Sequence, residues 1–203
     1  MENAILTECQ PLNYFFSKGF FFLKRKSLMS IPAKHKEGAR KHYKCAILTI
    51  STSKYWNKQK GAKDIGDLSG EIAQDLVTKN SHEVVYYDIL PDIETKINEG
   101  ITKALSTEAE FVITTGGTGM TKNDITIEVI SKLMEKQMPG FGELFRQKSY
   151  ADIGTAAVLS RAIAGVIHKK TVFCLPGSPN AVRLALTEII MPEIAHIMKH
   201  VRE

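Results

Sequence analysis

The chain has 203 residues, 43% hydrophobic and 24% charged, which suits one globular domain with a sizeable core. No apolar run reaches the roughly 18 residues of a membrane span, so no membrane association is expected. The net charge of +5 is uneven: residues 1–44 hold nine Lys or Arg against three acids and the remainder 18 against 19, so the body is nearly neutral and a nucleic-acid site on it is not expected.

Residues 1–43 differ from the rest. Tyr14–Lys26 is aromatic and then basic, with the charges after the apolar part, unlike a signal sequence. Met29 would make a plausible start, which leaves residues 1–28 as an upstream extension. The expected organisation is a basic, aromatic extension over 1–43 and one domain over 44–203.

From Lys44 the pattern alternates strand and helix. Cys45–Ile50 reads as a buried strand. Leu68, Ile72 and Leu76 mark a helical face, and Val84–Leu90 a second strand. Ile93, Ile97, Ile101 and Leu105 mark a second helix, and Phe111–Thr115 a third strand. Ile127, Ile130 and Met134 mark a third helix, and Gly142–Tyr150 a short one. Ala164–Ile167 and Thr171–Leu175 flank His168-Lys169-Lys170 and read as a hairpin. Pro176–Asn180 breaks the chain before a helix from Ala181, and Pro192 starts or kinks a final one. Such alternation predicts an α/β fold, a mostly parallel central sheet covered on both faces. Ligands of such sheets bind at the carboxyl ends of strands. The turns after three strands, at Pro91-Asp92, Gly116–Gly119 and Pro176–Asn180, can therefore meet on one edge.

Cys9, Cys45 and Cys174 lie far apart with no Cys-x-x-Cys, which argues against a disulfide framework or a zinc site and fits a reducing cytoplasm. His196 and His200 stand at i, i+4 spacing near the end of the chain. A last helical turn that favours cations is the simpler reading there than a metal pair.

The strongest chemical signal is the run Thr114-Thr-Gly-Gly-Thr-Gly119 followed by Asp124. A strand that ends in glycines lets backbone N–H groups approach an anion closely, and Thr115 and Thr118 add hydroxyls. The spacing matches neither a Walker A loop nor the dinucleotide fingerprint. A tight turn alone would also use these glycines. Asp124 reads either as the N-cap of the next helix or as a carboxylate that meets the phosphate through Mg²⁺. Asp92 is either a turn residue or a second ligand of that ion. Asp67, Ser69 and Gly70 open a helix, as a cap or as a second anion site. Arg161 either forks onto a phosphate or makes a surface ion pair.

These pieces together resemble the MoaB/Mog family of molybdenum-cofactor biosynthesis proteins, single-domain molybdopterin adenylyltransferases. The matching elements are Thr114–Gly119, Asp124-x-Thr126-x-Glu128, Pro139–Arg146, Leu159-Ser-Arg161 and Leu175–Asn180, in family order across about residues 44–200. The resemblance implies a three-layer αβα domain that couples molybdopterin to the adenylyl group of Mg-ATP and assembles as trimers or hexamers. It implies catalytic roles for Asp92 and Asp124, nucleotide contacts from Thr115–Gly119 and from Asp67, Ser69 and Gly70, and a pterin side lined by Ser160, Arg161 and Pro176, Gly177, Ser178, Pro179 and Asn180. Hand-over to a metal-insertion protein is a further expectation. Asn123 stands where the family usually carries arginine, and Ile127 where it carries proline. The arginine change sustains an alternative, a silent molybdopterin carrier or scaffold of the same fold. An RNA-binding role through the basic leader is the weakest alternative.

Overall fold

The structure is a computed structural model that describes residues 40–203. The readings for residues 1–28, and most of 1–43, lie outside the described residues. Strands β1 (Lys44–Ile50), β2 (Glu83–Leu90), β3 (Phe111–Thr115), β4 (Lys136–Gln137), β5 (Ile163–Ile167) and β6 (Lys170–Leu175) form one sheet in the order β2-β1-β3-β6-β5-β4. The four strands β2, β1, β3 and β6 run parallel. β5 pairs antiparallel with both β6 and β4. His168 and Lys169, both at positive φ, make the tight turn of the predicted hairpin.

The pleat divides the core in two. Cys45, Ile47, Phe111, Ile113, Phe173 and Leu175 face one side. There they pack under helices α2 (Leu68–Lys79), α5 (Pro139–Ile153), α6 (Pro179–Ala185) and α7 (Met191–Arg202). Ala46, Leu48, Ile50, Val112, Val172 and Cys174 face the other, under α3 (Glu94–Ser106) and α4 (Thr126–Ser131). Helices thus cover both faces, the three-layer arrangement the alternation predicts. Cys45 and Cys174 are free and buried, and burial pushes both thiols up, Cys174 to about 12. Tyr43 is also buried in the core, and Arg40 bonds Glu110, so packing begins just ahead of β1.

Several elements differ from their predicted extents. The helix expected to reach Met134 stops at Ser131. The chain must turn there so that Glu135 and Met138 can donate to Val166 and Ala164 of β5, with β4 between them. The short helix predicted over Gly142–Tyr150 runs from Pro139 to Ile153, since Pro at the first position is no obstacle to a helix. It continues into a 3-10 turn, Gly154–Leu159. Residues Thr52–Gln59 form helix α1, which the sequence reading lacks. None of its residues is buried, so no apolar stripe marks it. A five-residue π segment, Leu186–Ile190, joins α6 to α7 just before Pro192, whose missing N–H falls in the first turn of α7.

Asp67 ties α2 to the sheet. Its buried carboxylate accepts from Thr49 Oγ1 at 2.6 Å, Lys54 Nζ at 2.9 Å, the Tyr87 hydroxyl and the Gly70 amide at 3.2 Å. Burial alone would raise this carboxyl, but the bonds from Thr49, Tyr87, Lys54 and Gly70 outweigh it and hold it below the usual carboxylate range. A depressed carboxyl stabilises the fold above its unfolded pKa of about 3.9, and that contribution is lost as pH falls through the lower folded value. Asp67→Asn leaves Lys54 without its counter-ion and sets an amide against hydroxyl donors. We expect it to cost about 3 kcal/mol at pH 7. In urea unfolding the gap from the parent protein should close as pH drops below about 3.9. A gap that stays constant with pH would show that Asp67 is not ionised in the folded chain.

Candidate functional site

The parallel strands β2, β1, β3 and β6 all end on the same edge, and their following turns meet there. The turns after β1 and β3 lie where the connections diverge to opposite sides, the usual place for a ligand in such a sheet. Ser51 N donates to Leu90 O at 2.8 Å, which joins the ends of β1 and β2. Gly116 N donates to Leu175 O at 3.0 Å, and Thr115 Oγ1 to Pro176 O at 3.2 Å, which joins β3 to β6. Ser69 Oγ donates to Gly177 O at 2.6 Å, which brings in the start of α2. The three turns expected to share an edge do so.

Gly116 and Gly117 take positive φ, 97° and 60°. A Cβ on Gly116 would collide with the carbonyl of Ile50, and one on Gly117 would lie 2.8 Å from Asp92 Oδ1. On Gly119 it would lie 2.7 Å from Asp124 Oδ2. The glycines therefore give the turn its close approach, and the turn has a carboxylate at each end. The Gly116 amide is taken by Leu175, but those of Gly117 and Thr118 make no hydrogen bond among the described residues. They are the donors the turn can offer an anion.

Each of the two aspartates is braced by a threonine. Asp92 Oδ2 accepts from Thr52 N at 2.9 Å and Thr52 Oγ1 at 2.8 Å. Asp124 Oδ2 accepts from Thr121 N at 2.9 Å and Thr121 Oγ1 at 2.5 Å. The Thr121 hydroxyl, the amides of Thr121 and Gly119 and the Arg161 charge hold Asp124 below the usual carboxylate range, against a partial burial that would raise it. The N-cap of α4 is Ile125, without a side-chain bond. Asp124 therefore caps its own preceding turn, not the helix, which corrects the capping alternative.

Arg161 is neither forked onto open space nor paired only at the surface. Its Nε donates to Thr118 O at 2.8 Å and one terminal nitrogen to Gly119 O at 2.6 Å, while the other meets Glu128 Oε1 at 2.5 Å. The guanidinium thus grips the glycine turn from behind, and its bond to Glu128 holds that carboxyl low.

The residues expected on the pterin side divide: Arg161 and Gly177 lie at the glycine turn, and four of the others line a separate hollow. Ser160, Pro176, Ser178 and Asn180 line a cavity of about 90 Å³ with Ser149, Asp152 and Leu184. A broader depression of about 570 Å³ shares Asp152, Asn180 and Leu184 with it and adds Lys148 and Arg183. Ser178 caps α6 through the Ala181 amide, and Pro179 opens that helix. Of the two proposed nucleotide elements, Thr115–Gly119 lies between the carboxylates, whereas Asp67 is saturated by protein donors. The sequence reading missed Thr52, Thr121, Lys54 and Tyr87, whose partners lie up to 40 residues away. It also missed the basic pair Lys148 and Arg183, which no local pattern distinguishes from other surface charges.

Two carboxylates from separate strand ends, flanking a glycine turn, are hard oxygen donors that fit a Mg²⁺ shared with phosphate oxygens. No group of three or more His, Cys, Asp or Glu is gathered for a metal among the described residues, so protein atoms alone do not cage one. No described helix is long and apolar enough to cross a membrane.

Residues 46–196 match the family described as "Probable molybdopterin binding domain". The chain is 43% identical over 165 residues to Molybdenum cofactor biosynthesis protein B of Bacillus cereus, covering 80% of this chain and 93% of that one. It is 44% identical over 174 residues to Molybdopterin adenylyltransferase of Pyrococcus furiosus, covering 83% and 97%. The crystal structure of the tungsten cofactor synthesizing protein MoaB from Pyrococcus furiosus superposes with a TM-score of 0.72 at 43% identity, covering 81% of this chain and all of that one. Family match, sequence identity and structural superposition agree, and the chain belongs to the MoaB/Mog family of molybdenum-cofactor biosynthesis proteins.

Proposed function

We propose that this chain is a molybdopterin adenylyltransferase of the molybdenum or tungsten cofactor pathway, acting in the cytoplasm with Mg-ATP. The observation that carries the reading is the glycine turn held between Asp92 and Asp124. A terminal phosphate oxygen of molybdopterin attacks the α-phosphorus of ATP. The bond to the β-phosphate oxygen breaks, and pyrophosphate leaves. Such a transfer needs alignment and charge neutralisation more than a protein nucleophile. Asp92 and Asp124 would hold Mg²⁺, which would supply the neutralising charge. The Gly117 and Thr118 amides hold phosphate oxygens, and Arg161 fixes the turn that presents them. Ser160 and the Pro176–Asn180 turn line the pterin side, with Lys148 and Arg183 at its rim. In this reading Asp67, Ser69 and Gly70 support the edge through the end of α2 and its bond to Gly177. The adenylylated product then passes to a metal-insertion protein.

The deciding assay is pyrophosphate release from Mg-ATP with and without molybdopterin. Asp92→Asn and Asp124→Asn keep an acceptor for their threonines and remove the charge. We expect each to lower kcat by about a hundredfold or more, with pterin affinity changed by less than about threefold. Near-parental turnover in either folded variant would remove that residue from cation binding. The silent-carrier reading rests on Asn123, which is exposed in the turn ahead of Asp124. It predicts tight pterin binding and no pyrophosphate from the parent chain.

Arg161→Lys keeps the charge but cannot reach Thr118, Gly119 and Glu128 together. We expect kcat to fall about tenfold to a hundredfold while ATP affinity changes less, because a shift of the turn near 1 Å misaligns the phosphates. Unchanged kcat, with thermal stability also unchanged, would reduce this contact to a surface feature.

We also propose a trimer or hexamer. Ile189, Ile190, Ile194 and Met198, apolar positions of the C-terminal segment, are buried within the protomer and so are not free for an interface. Four of the exposed apolar residues, Tyr150, Ile153, Val158 and Leu159, fall close together in the chain just before Ser160, with Val158 81% exposed. Ile153 and Ser160 line the same small cavity, so a second copy seated on this patch would adjoin the pterin side. Light scattering should give a discrete mass at three or six times 22.6 kDa. Val158→Asp with Leu159→Asp should shift it toward the monomer. A parent chain that stays at one protomer's mass across concentrations would overturn the assembly.

A further inference from the structure

Helix α1 buries none of its residues, so it owes its place mainly to polar bonds. These bonds go to three aspartates. Lys54 Nζ meets Asp67 Oδ1 at 2.9 Å and Lys58 Nζ meets Asp88 Oδ1 at 2.7 Å, two contacts one helical turn apart. The third joins Thr52, the first residue of the helix, to Asp92.

That third contact is reciprocal. The Thr52 hydroxyl accepts from the Asp92 amide at 3.0 Å. Its one proton goes to Asp92 Oδ2 at 2.8 Å, and the Thr52 amide reaches the same oxygen at 2.9 Å. The last torsion of an aspartate is broad and nearly two-fold, so an unbraced carboxylate turns easily. With Oδ2 taken twice by Thr52, Oδ1 is the oxygen left over. It makes no hydrogen bond among the described residues and stands beside Gly117, 2.8 Å from where a Cβ there would lie. Asp124 finds its brace in its own turn, three residues away. The brace of Asp92 comes from another element, 40 residues earlier in the chain.

We propose that Thr52 is a positioning residue for Asp92: by holding Oδ2 it turns Oδ1 toward the glycine turn, where a cation and phosphate oxygens would meet it. The inference rests on the reading of Asp92 as a cation ligand in adenylyl transfer. Partners that orient a ligating carboxylate commonly tune its metal affinity. The rival is a purely structural bond. The Asp92 carboxylate takes the first amide of α1, whose own N-cap, Ser51, makes no side-chain cap bond, and so it caps that helix from outside. The two roles move different quantities: a lost cap lowers stability, and lost positioning lowers cation affinity.

The test titrates the full-length protein with Mn²⁺, which shares the oxygen preference of Mg²⁺ and is read by electron paramagnetic resonance. An ATP analogue with a methylene between its α- and β-phosphorus atoms is present throughout. Thr52→Val and Thr52→Ala both remove the hydroxyl and keep the amide, while their helix propensities differ. We expect both to weaken Mn²⁺ binding about tenfold or more, and Thr52→Ser to stay within about twofold of the parent chain. In the pyrophosphate assay the Mg²⁺ concentration at half-maximal rate should rise by the same factor, with the molybdopterin KM unchanged. Parental Mn²⁺ affinity in both Thr52→Val and Thr52→Ala, whatever their thermal stability, would overturn the positioning role and leave the adenylyl-transfer reading standing. So would a Thr52→Ser protein that binds Mn²⁺ as weakly as Thr52→Val. A parent chain that binds no Mn²⁺ would overturn both. If the parent chain binds Mn²⁺ and releases no pyrophosphate, the adenylyl-transfer reading fails, and weaker Mn²⁺ binding in the two variants still upholds the role of Thr52.

Discussion

The site depends on how closely the turn after β3 can approach the end of β1. Gly116 lies against the Ile50 carbonyl with no room for a Cβ, and a Cβ on Gly177 would come within 3.1 Å of the Gly116 Cα. Three backbones are thereby stacked at one point of the sheet edge. The turn's carbonyls face inward, where Arg161 collects those of Thr118 and Gly119. Thr126 adds two more bonds, its amide to Gly117 O and its hydroxyl to Gly116 O. With the carbonyls occupied, the amides of Gly117 and Thr118, which bond nothing among the described residues, remain as the turn's donors. A cluster of carbonyls would repel a phosphate, so the Arg161 clamp sets the polarity of the turn as well as its position.

Charge at the edge follows the same logic. Asp92 and Asp124 would repel a nucleotide if they stood alone. Their threonine partners fix one oxygen of each and leave capacity on the carboxylate for a cation. The clamp charge of Arg161 is already paired with the carboxylate of Glu128. It therefore adds little net attraction for phosphate, and under the proposed function neutralisation would fall mainly to a cation held by the carboxylates.

Much of this was legible in the chain. The buried strands Cys45–Ile50, Phe111–Thr115 and Thr171–Leu175 announced themselves as apolar β-prone runs. The glycine turn announced itself by composition, because only glycine accepts that backbone. The meeting of three turns on one edge followed from parallel topology alone. What stayed hidden depends on tertiary neighbours or lacks periodicity. Helix α1 buries nothing, so its sequence Thr52–Gln59 carries no stripe. The early stop of α4 is imposed by the pairing of β4 with β5, two short strands whose register the local sequence does not encode. Arg161 acts on carbonyls more than 40 residues earlier, and its role cannot be read from Ser160-Arg161 in isolation.

Asp67 shows how environment separates like residues. All three aspartates near this edge follow or precede a turn, and all accept a threonine hydroxyl. Asp67 also receives a lysine, a tyrosine hydroxyl and a helix amide, within a buried setting. Four donors exhaust its acceptor sites, so it has no capacity left for an added cation without losing one of them. Asp92 and Asp124 are less buried; Asp92 spends one oxygen on Thr52, and Asp124 meets Thr121 and the Gly119 amide but no lysine or tyrosine. The same side chain is thus a structural anchor where its donors saturate it and a candidate ligand where they do not. Donor count and burial distinguish the two roles here, while sequence position does not.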